Sequence, residues 1–152
     1  MSIKEIVIDA SAALKWRLRD EEATEQADAI LNDFLNKRII LIVPTLFDYE
    51  ITNALKVAAS MGRMGKEDAL SAIADFQEFD IQRIEFPEVQ MTAFEMAYRY
   101  QRSVYDSTYL ALGFLKKLSF YTGDKRLFNA VGKALTWVKW IGDYKTGLSE
   151  NR

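Results

Sequence analysis

The sequence predicts an α/β sandwich built on a mostly parallel sheet. Five short apolar runs have strand length and lie near Ile3–Ile8, Arg38–Val43, Ile81–Phe86, Ser119–Thr122 and Thr136–Ile141. The segments between them repeat their apolar residues with a helical period. Strands that alternate with helices in this way build a parallel sheet covered by helices.

Each element has its own warrant. The first strand, Ile6-Val7-Ile8, runs straight into Asp9. From Asp20 to Asn36, residues Ala23, Ala27, Ile30, Leu31, Phe34 and Leu35 make one apolar stripe. Pro44 and Thr45 open a second helix, with Thr45 and Asp48 spaced for a capping box, and it runs towards Gly62. Gly65 precedes a helix over Lys66–Phe79, so the pair reads as a helical hairpin with Arg63 near its tip. Pro87 opens a helix towards Gln101. Asp106–Leu118 follows and is almost wholly apolar from Tyr109 to Leu115, the pattern of a buried helix. No repeat, low-complexity tract or Pro/Ser-rich linker interrupts the chain. It therefore reads as a single domain over 1–152, with the residues after Tyr144 as a tail.

Composition excludes more than it proposes. The chain is 49% apolar and 28% charged, as ordinary globular proteins are. No apolar run approaches the roughly 18 residues that span a bilayer, and the N-terminus lacks a basic-then-apolar leader. A cytoplasmic protein with no membrane partner is expected. With no cysteine there are no disulfides, thiolate zinc sites or cysteine nucleophiles. With no histidine, the commonest general base and the imidazole metal ligands are also missing. The formal charge is −2, from 20 basic and 22 acidic residues, which argues against a protein held on nucleic acid chiefly by phosphate contacts. A nuclease stays open, because bound cations neutralise an acidic site. Any chemistry falls to carboxylates, hydroxyls, amides, Lys and Arg.

Four carboxylates stand where strands end or helices begin: Asp9, Glu50, Asp106 and Asp124. Taken singly, each has a local explanation. Asp9, Asp106 and Asp124 suit helix N-caps, and Glu50 suits a solvated helix face. Context pulls the other way. Asp106 opens the most apolar helix, Glu50 borders the stripe Phe47, Ile51, Ala54, Leu55 and Ala58, and Asp124 follows Thr122-Gly123 at a strand end. Ligands of open parallel sheets bind outside the strands' carboxyl ends. Like charges gathered there are costly without cations. Hard oxygen ligands of this kind suit Mg²⁺ or Mn²⁺.

The residues around these acids resemble a known family. Ile6-Val7-Ile8-Asp9-Ala10-Ser11-Ala12 resembles the opening of PIN-domain ribonucleases, particularly the VapC-type toxins of toxin–antitoxin pairs. Tyr49–Leu55, Tyr105–Leu112 and Thr122–Leu127 resemble that family's second, third and fourth acidic segments, in family order. The resemblance implies a three-layer α/β/α domain with a central five-stranded, mostly parallel sheet, in which the first and fourth strands are neighbours. It implies an Mg²⁺- or Mn²⁺-dependent endoribonuclease with Asp9 and Asp106 as principal metal ligands. Glu50 and Asp124 would complete the site, and Ser11, Asn53 and Thr122 would support it. Water attack on the phosphodiester would leave 5′-phosphate and 3′-hydroxyl ends. The implied partners are an RNA substrate, a small antitoxin protein and a second copy in a homodimer. Ser107-Thr108 and Gly113 depart from the small, alanine-like residues common in the family.

Several secondary readings complete the set. Lys15, Arg17, Arg19, Lys125 and Arg126 follow two of the acidic segments and either rim the site or sit on solvated surface. Trp137 and Trp140 read as core or interface packing, and Met61, Met64, Met91 and Met96 as packing. The hairpin around Met61 and Met64 is a candidate contact surface. Haloacid-dehalogenase-like phosphatases want a second Asp where Ser11 stands, and receiver domains want adjacent acids near the first strand. Flap-type nucleases are longer. The competing class is a non-catalytic PIN-like RNA- or protein-binding module.

Overall fold

In a computed structural model that describes residues 3–146, the five apolar runs form one sheet: β1 (Lys4–Ile8), β2 (Ile39–Val43), β3 (Gln82–Arg83), β4 (Phe120–Thr122) and β5 (Val138–Trp140). Every pairing is parallel, and the strand order is β3-β2-β1-β4-β5. Seven helices among the described residues complete a three-layer α/β/α domain. They are α1 (Ala10–Ala13), α2 (Thr24–Leu35), α3 (Leu46–Ser60), α4 (Lys66–Glu78), α5 (Pro87–Tyr100), α6 (Val104–Lys116) and α7 (Lys125–Val131). A short 3₁₀ turn, Leu14–Trp16, extends α1.

β1 is the centre of the sheet. Ile6, Val7 and Ile8 are wholly buried, as a strand covered on both faces requires. Val7 lies opposite Ile42 of β2 on one side and Phe120 of β4 on the other. From β1 the chain builds outwards through β2 and β3, then returns to the other flank for β4 and β5. The strand order therefore reverses between β1 and β4. That switch point is where an open parallel sheet leaves a crevice.

The structure departs from expectation in a few places, each with a physical cause. No capping box forms at α3: Thr45 Oγ1 donates to Glu85 Oε1 at 2.9 Å. Asp48 is drawn instead to Arg83, which donates to it through Nη2 at 2.9 Å and Nε at 3.1 Å. β3 is only two residues long, an edge strand rather than the longer run expected. Helix α6 starts before Asp106, because Ser103 is its N-cap and accepts from the Asp106 amide at 2.9 Å. Met61 (71% exposed) and Met91 do not pack, whereas Met64 and Met96 lie against the core. Gly113 is explained by Trp137: a Cβ there would fall 2.8 Å from the indole ring. The tail expected after Tyr144 lies, from residue 147 onward, outside the described residues.

Candidate active site

Asp9 is built into the switch point from both flanks. It is the N-cap of α1, and its Oδ1 accepts from the Ala12 amide at 2.9 Å and from Ser11 Oγ at 2.7 Å. The loop after β4 adds the Gly123 amide at 3.2 Å on the same oxygen, and the Thr122 hydroxyl donates to Oδ2. Thr122 Oγ1 in turn accepts from the Asp124 amide at 3.0 Å. Only glycine allows this approach, since a Cβ on Gly123 would meet the Ser11 and Ala12 backbone at 2.7 Å. Burial pushes the Asp9 carboxyl above its ordinary value, against the four hydrogen bonds that favour its charged form.

The other acids converge on the same end of the sheet from three helices. Glu50, on α3, is half-buried, and its Oε1 accepts from the Tyr109 hydroxyl of α6 at 2.6 Å. Burial raises the Glu50 carboxyl to about 7; the Tyr109 bond opposes that rise, and the charges of Asp9 and Asp106 add to it. Asp106 is raised by burial and by the charge of Asp124, with Arg102, 3.7 Å away, pulling it back. Asp124 caps α7, its Oδ1 accepting from the amides of Arg126 and Leu127 at 2.9 and 3.3 Å. Burial and the neighbouring Glu50 also push the Tyr109 phenol well above its ordinary value. Glu50 thus feels the charges of Asp9 and Asp106, and Asp106 feels that of Asp124.

Convergence stops short of a ready cage. Among the described residues, no three acidic side chains stand in ligating geometry. The donor set nonetheless fits a hard divalent cation. Asp9 Oδ2, Glu50 Oε2 and Asp124 Oδ2 each keep lone pairs, and Asp106 meets Arg102 at 3.7 Å and the Ser103 side chain. Mg²⁺ needs no more than one or two carboxylates and fills its remaining positions with water.

The structure places the supporting residues unevenly. Ser11 and Thr122 bond Asp9, whereas Asn53 is exposed on α3 and bonds none of the acids among the described residues. The cationic rim is thinner than the sequence suggested. Arg17 pairs with Asp75 at 2.6 Å, and Arg19 donates twice to Asp28, both bonds at 2.8 Å. Arg63, at the hairpin tip, is held by Asp20 at 2.6 Å. Ser103, Tyr109 and Arg102 are the participants that sequence reasoning passed over. Arg102 was marked by its place four residues before Asp106, and Tyr109 by a phenol in a buried helix, which needs a bonding partner.

A parallel α/β sandwich with a carboxylate-lined switch point belongs to the proteins that engage ligands at the sheet's carboxyl edge. The chain matches the PIN domain over residues 6–134, and it belongs to that family, whose members are generally nucleases. Among solved structures it is similar to PAE2754 from Pyrobaculum aerophilum, at 21% identity over 85% of this chain and 87% of that one, with a TM-score of 0.61. It is also similar to VapC20 from Mycobacterium tuberculosis, described as a sarcin-ricin-loop-cleaving toxin, at 16% identity over 88% of this chain and 98% of that one, with a TM-score of 0.59. These likenesses show the fold. No curated protein sequence matches the chain significantly.

Proposed function

We propose that this chain is a divalent-metal-dependent endoribonuclease, the toxin of a toxin–antitoxin pair, with Asp9, Glu50, Asp106 and Asp124 as its active site. The observation that carries the reading is the gathering of four carboxylates at the switch point of a PIN domain, three of them pushed above their ordinary pKa. Mg²⁺ or Mn²⁺, when bound, would neutralise these charges, polarise a phosphodiester and ease deprotonation of the attacking water. Asp9, oriented by four donors, and Asp106 would hold the cation, with Glu50 and Asp124 beside them. Tyr109 holds one Glu50 oxygen and leaves the other for the cation or water. Glu50, poised near neutrality and half-buried, is the group placed to take a proton in a chain without histidine. Single-stranded RNA is the natural substrate class, since unstacked bases admit protein groups.

The partner reading follows the same site. A small antitoxin would seat on the α3–α4 hairpin, where Val57, Met61 and Leu70 are exposed. Met61→Glu should weaken such a complex without unfolding the monomer; a complex of unchanged affinity removes that surface. Homodimerisation and a cytoplasmic location belong to the same reading, as does one domain over the whole chain. No helix among the described residues is long and apolar enough to cross a membrane.

The test is cleavage of a mixed RNA pool in Mg²⁺ or Mn²⁺ by wild type beside Asp9→Asn. Expected are 5′-phosphate and 3′-hydroxyl ends, lost in the variant and in excess EDTA. Cleavage that persists in EDTA, or ends in a 2′,3′-cyclic phosphate, overturns the mechanism. Wild type that binds but never cuts favours the non-catalytic module, the reading that the open spacing of the acids supports.

A further inference from the structure

A second polar feature lies on the same sheet edge. Lys15, in the 3₁₀ turn that extends α1, is only 2% exposed. A lysine buried to this degree keeps its apolar stem in the core and brings its ammonium to the surface. Among the described residues, no oxygen accepts from its ammonium, which stands 5.7 Å from the centroid of the Trp140 ring. Lys125, the first residue of α7, brings a second ammonium to the same indole, 4.3 Å from its centroid. Cation–π attraction accounts for the ring, since both distances fall within its range. It gives neither ammonium an anionic partner.

Their placement says what anion would come. Trp140 ends β5 and lies in register with Thr122 of β4, whose hydroxyl donates to Asp9. Lys125 follows Asp124 directly in the chain, and Lys15 closes the helix that Asp9 caps. Both ammoniums are therefore held on the strand next to β4, beside the edge where Asp9 and Asp124 stand. Trp140 is itself buried, so it offers a nucleobase little surface to stack on. A lysine binds phosphate as a point charge. The stem of Lys15 is already immobilised by the fold, so binding through it costs little further side-chain entropy.

We propose that Lys15 and Lys125, held on Trp140, bind a backbone phosphate of the nucleic-acid strand, next to the phosphate that faces the carboxylates. The strand then runs along the sheet edge from the β5 end to Asp9. This rests on the nuclease reading and adds a positioning subsite to it. Arg17 and Arg19, which are tied to Asp75 and Asp28, take no part.

The test titrates a fluorescein-labelled single-stranded oligoribonucleotide with the full chain across a KCl series, with Ca²⁺ replacing Mg²⁺. Lys15→Met and Lys125→Met keep the apolar stems and remove the charges. The double variant should bind about tenfold more weakly at low salt, the size of one lost charge-assisted contact. Its slope of log K against log [KCl] should be shallower by about 0.7, the loss of one phosphate contact on a single strand. A purely structural role for the lysines would leave that slope unmoved. Should Lys15→Met fail to fold, Lys125→Met alone carries the test, because Lys125 is exposed. An unchanged slope in a folded variant overturns the proposal, and so does a wild type that holds no RNA. Cleavage of the same RNA in Mg²⁺ is scored separately. Cleavage with an unchanged slope keeps the nuclease reading and removes the lysine subsite. A changed slope without cleavage in Mg²⁺ or Mn²⁺ keeps the subsite and removes the nuclease reading.

Discussion

Replacing Asp9 by Asn and by Ala separates what this side chain does for the fold from what its charge does for the site. Asn keeps an oxygen for Ser11 Oγ and the amides of Ala12 and Gly123, now bonded at 2.7, 2.9 and 3.2 Å. Its amide nitrogen takes the place of Oδ2, so the bond with Thr122 must reverse direction. That rearrangement costs at most one hydrogen bond, about 0.5–1.5 kcal/mol. Removal of a carboxylate that burial already pushes towards its neutral form offsets it. The net change for Asn is therefore within about 1 kcal/mol, or roughly 2–4 °C in Tm at this chain length. Ala removes the α1 cap, about 1 kcal/mol, and strands the Gly123 amide and Thr122 hydroxyl at about 1–3 kcal/mol each. Ala should thus cost about 3–7 kcal/mol and lower Tm by about 10–20 °C.

Thermal and urea unfolding in EDTA measure both variants. If Asn is as damaging as Ala, the charge of Asp9 serves the fold and the reasoning fails; a harmless Ala refutes it equally. The cation reading adds a second arm. Mn²⁺ at a hundredfold excess over its Kd should stabilise wild type by about 2.7 kcal/mol, a rise of about 5–10 °C. Asp9→Asn should lose that gain together with cleavage.

Three further outcomes follow from the same geometry. Because the Glu50 carboxyl is raised from 4.5 to about 7, the folded metal-free chain keeps a proton that the unfolded chain has lost. Its stability should therefore fall, by about 1 kcal/mol after solvent screening, as pH rises through that window, while the Mn²⁺ gain grows; Glu50→Gln should flatten both trends in a pH series of melts. Tyr109→Phe removes the bond that lowers the Glu50 carboxyl, so the pH–rate profile should move to higher pH with a stability loss of about 1 kcal/mol; an unmoved profile dissociates Glu50 from the rate. Gly113→Ala drives a methyl to within 2.8 Å of the Trp137 ring, and urea unfolding should show a loss of about 1–3 kcal/mol.

The fold was largely legible because its signals are local. A parallel strand buried on both faces is a continuous apolar run, and Pro44, Gly65 and Pro87 mark helix starts without help from the rest of the chain. What stayed illegible depends on distant partners. The partners of Arg17 and Arg83, which are Asp75 and Asp48, lie 58 and 35 residues away in sequence. Tyr109 reaches Glu50 across 59 residues. Asp48, claimed by Arg83, left the capping box without its acid, and no spacing rule shows such competition. At the site, Asp9, Ser11 and Thr122 were legible as strand-end residues. Asn53 was not, because sharing a helix face with Glu50 does not make a residue point where Glu50 points. The burial of Lys15 was invisible for a related reason: a lysine after a helix reads as surface until the far end of the sheet is in place.

At the aspartates, capping and cation binding are not rivals, because a carboxylate has two oxygens. Asp9 Oδ1 takes the cap of α1 and the Gly123 amide, while Oδ2 meets only the Thr122 hydroxyl. Asp124 divides in the same way, with Oδ1 committed to the start of α7. These two carboxylates are fixed by the backbone whether or not a ligand is present. Asp106 meets the side chains of Ser103 and Arg102 rather than a backbone amide, and Glu50 is held at one oxygen by Tyr109. Both are half-buried with their charged forms disfavoured, so the unfavourable electrostatics of the metal-free site falls on α3 and α6. A cation entering the site would relieve Asp106 and Glu50 most and disturb Asp9 and Asp124 least. In the proposed nuclease, Asp9 and Asp124 would therefore hold their places while Asp106 and Glu50 adjusted to the cation.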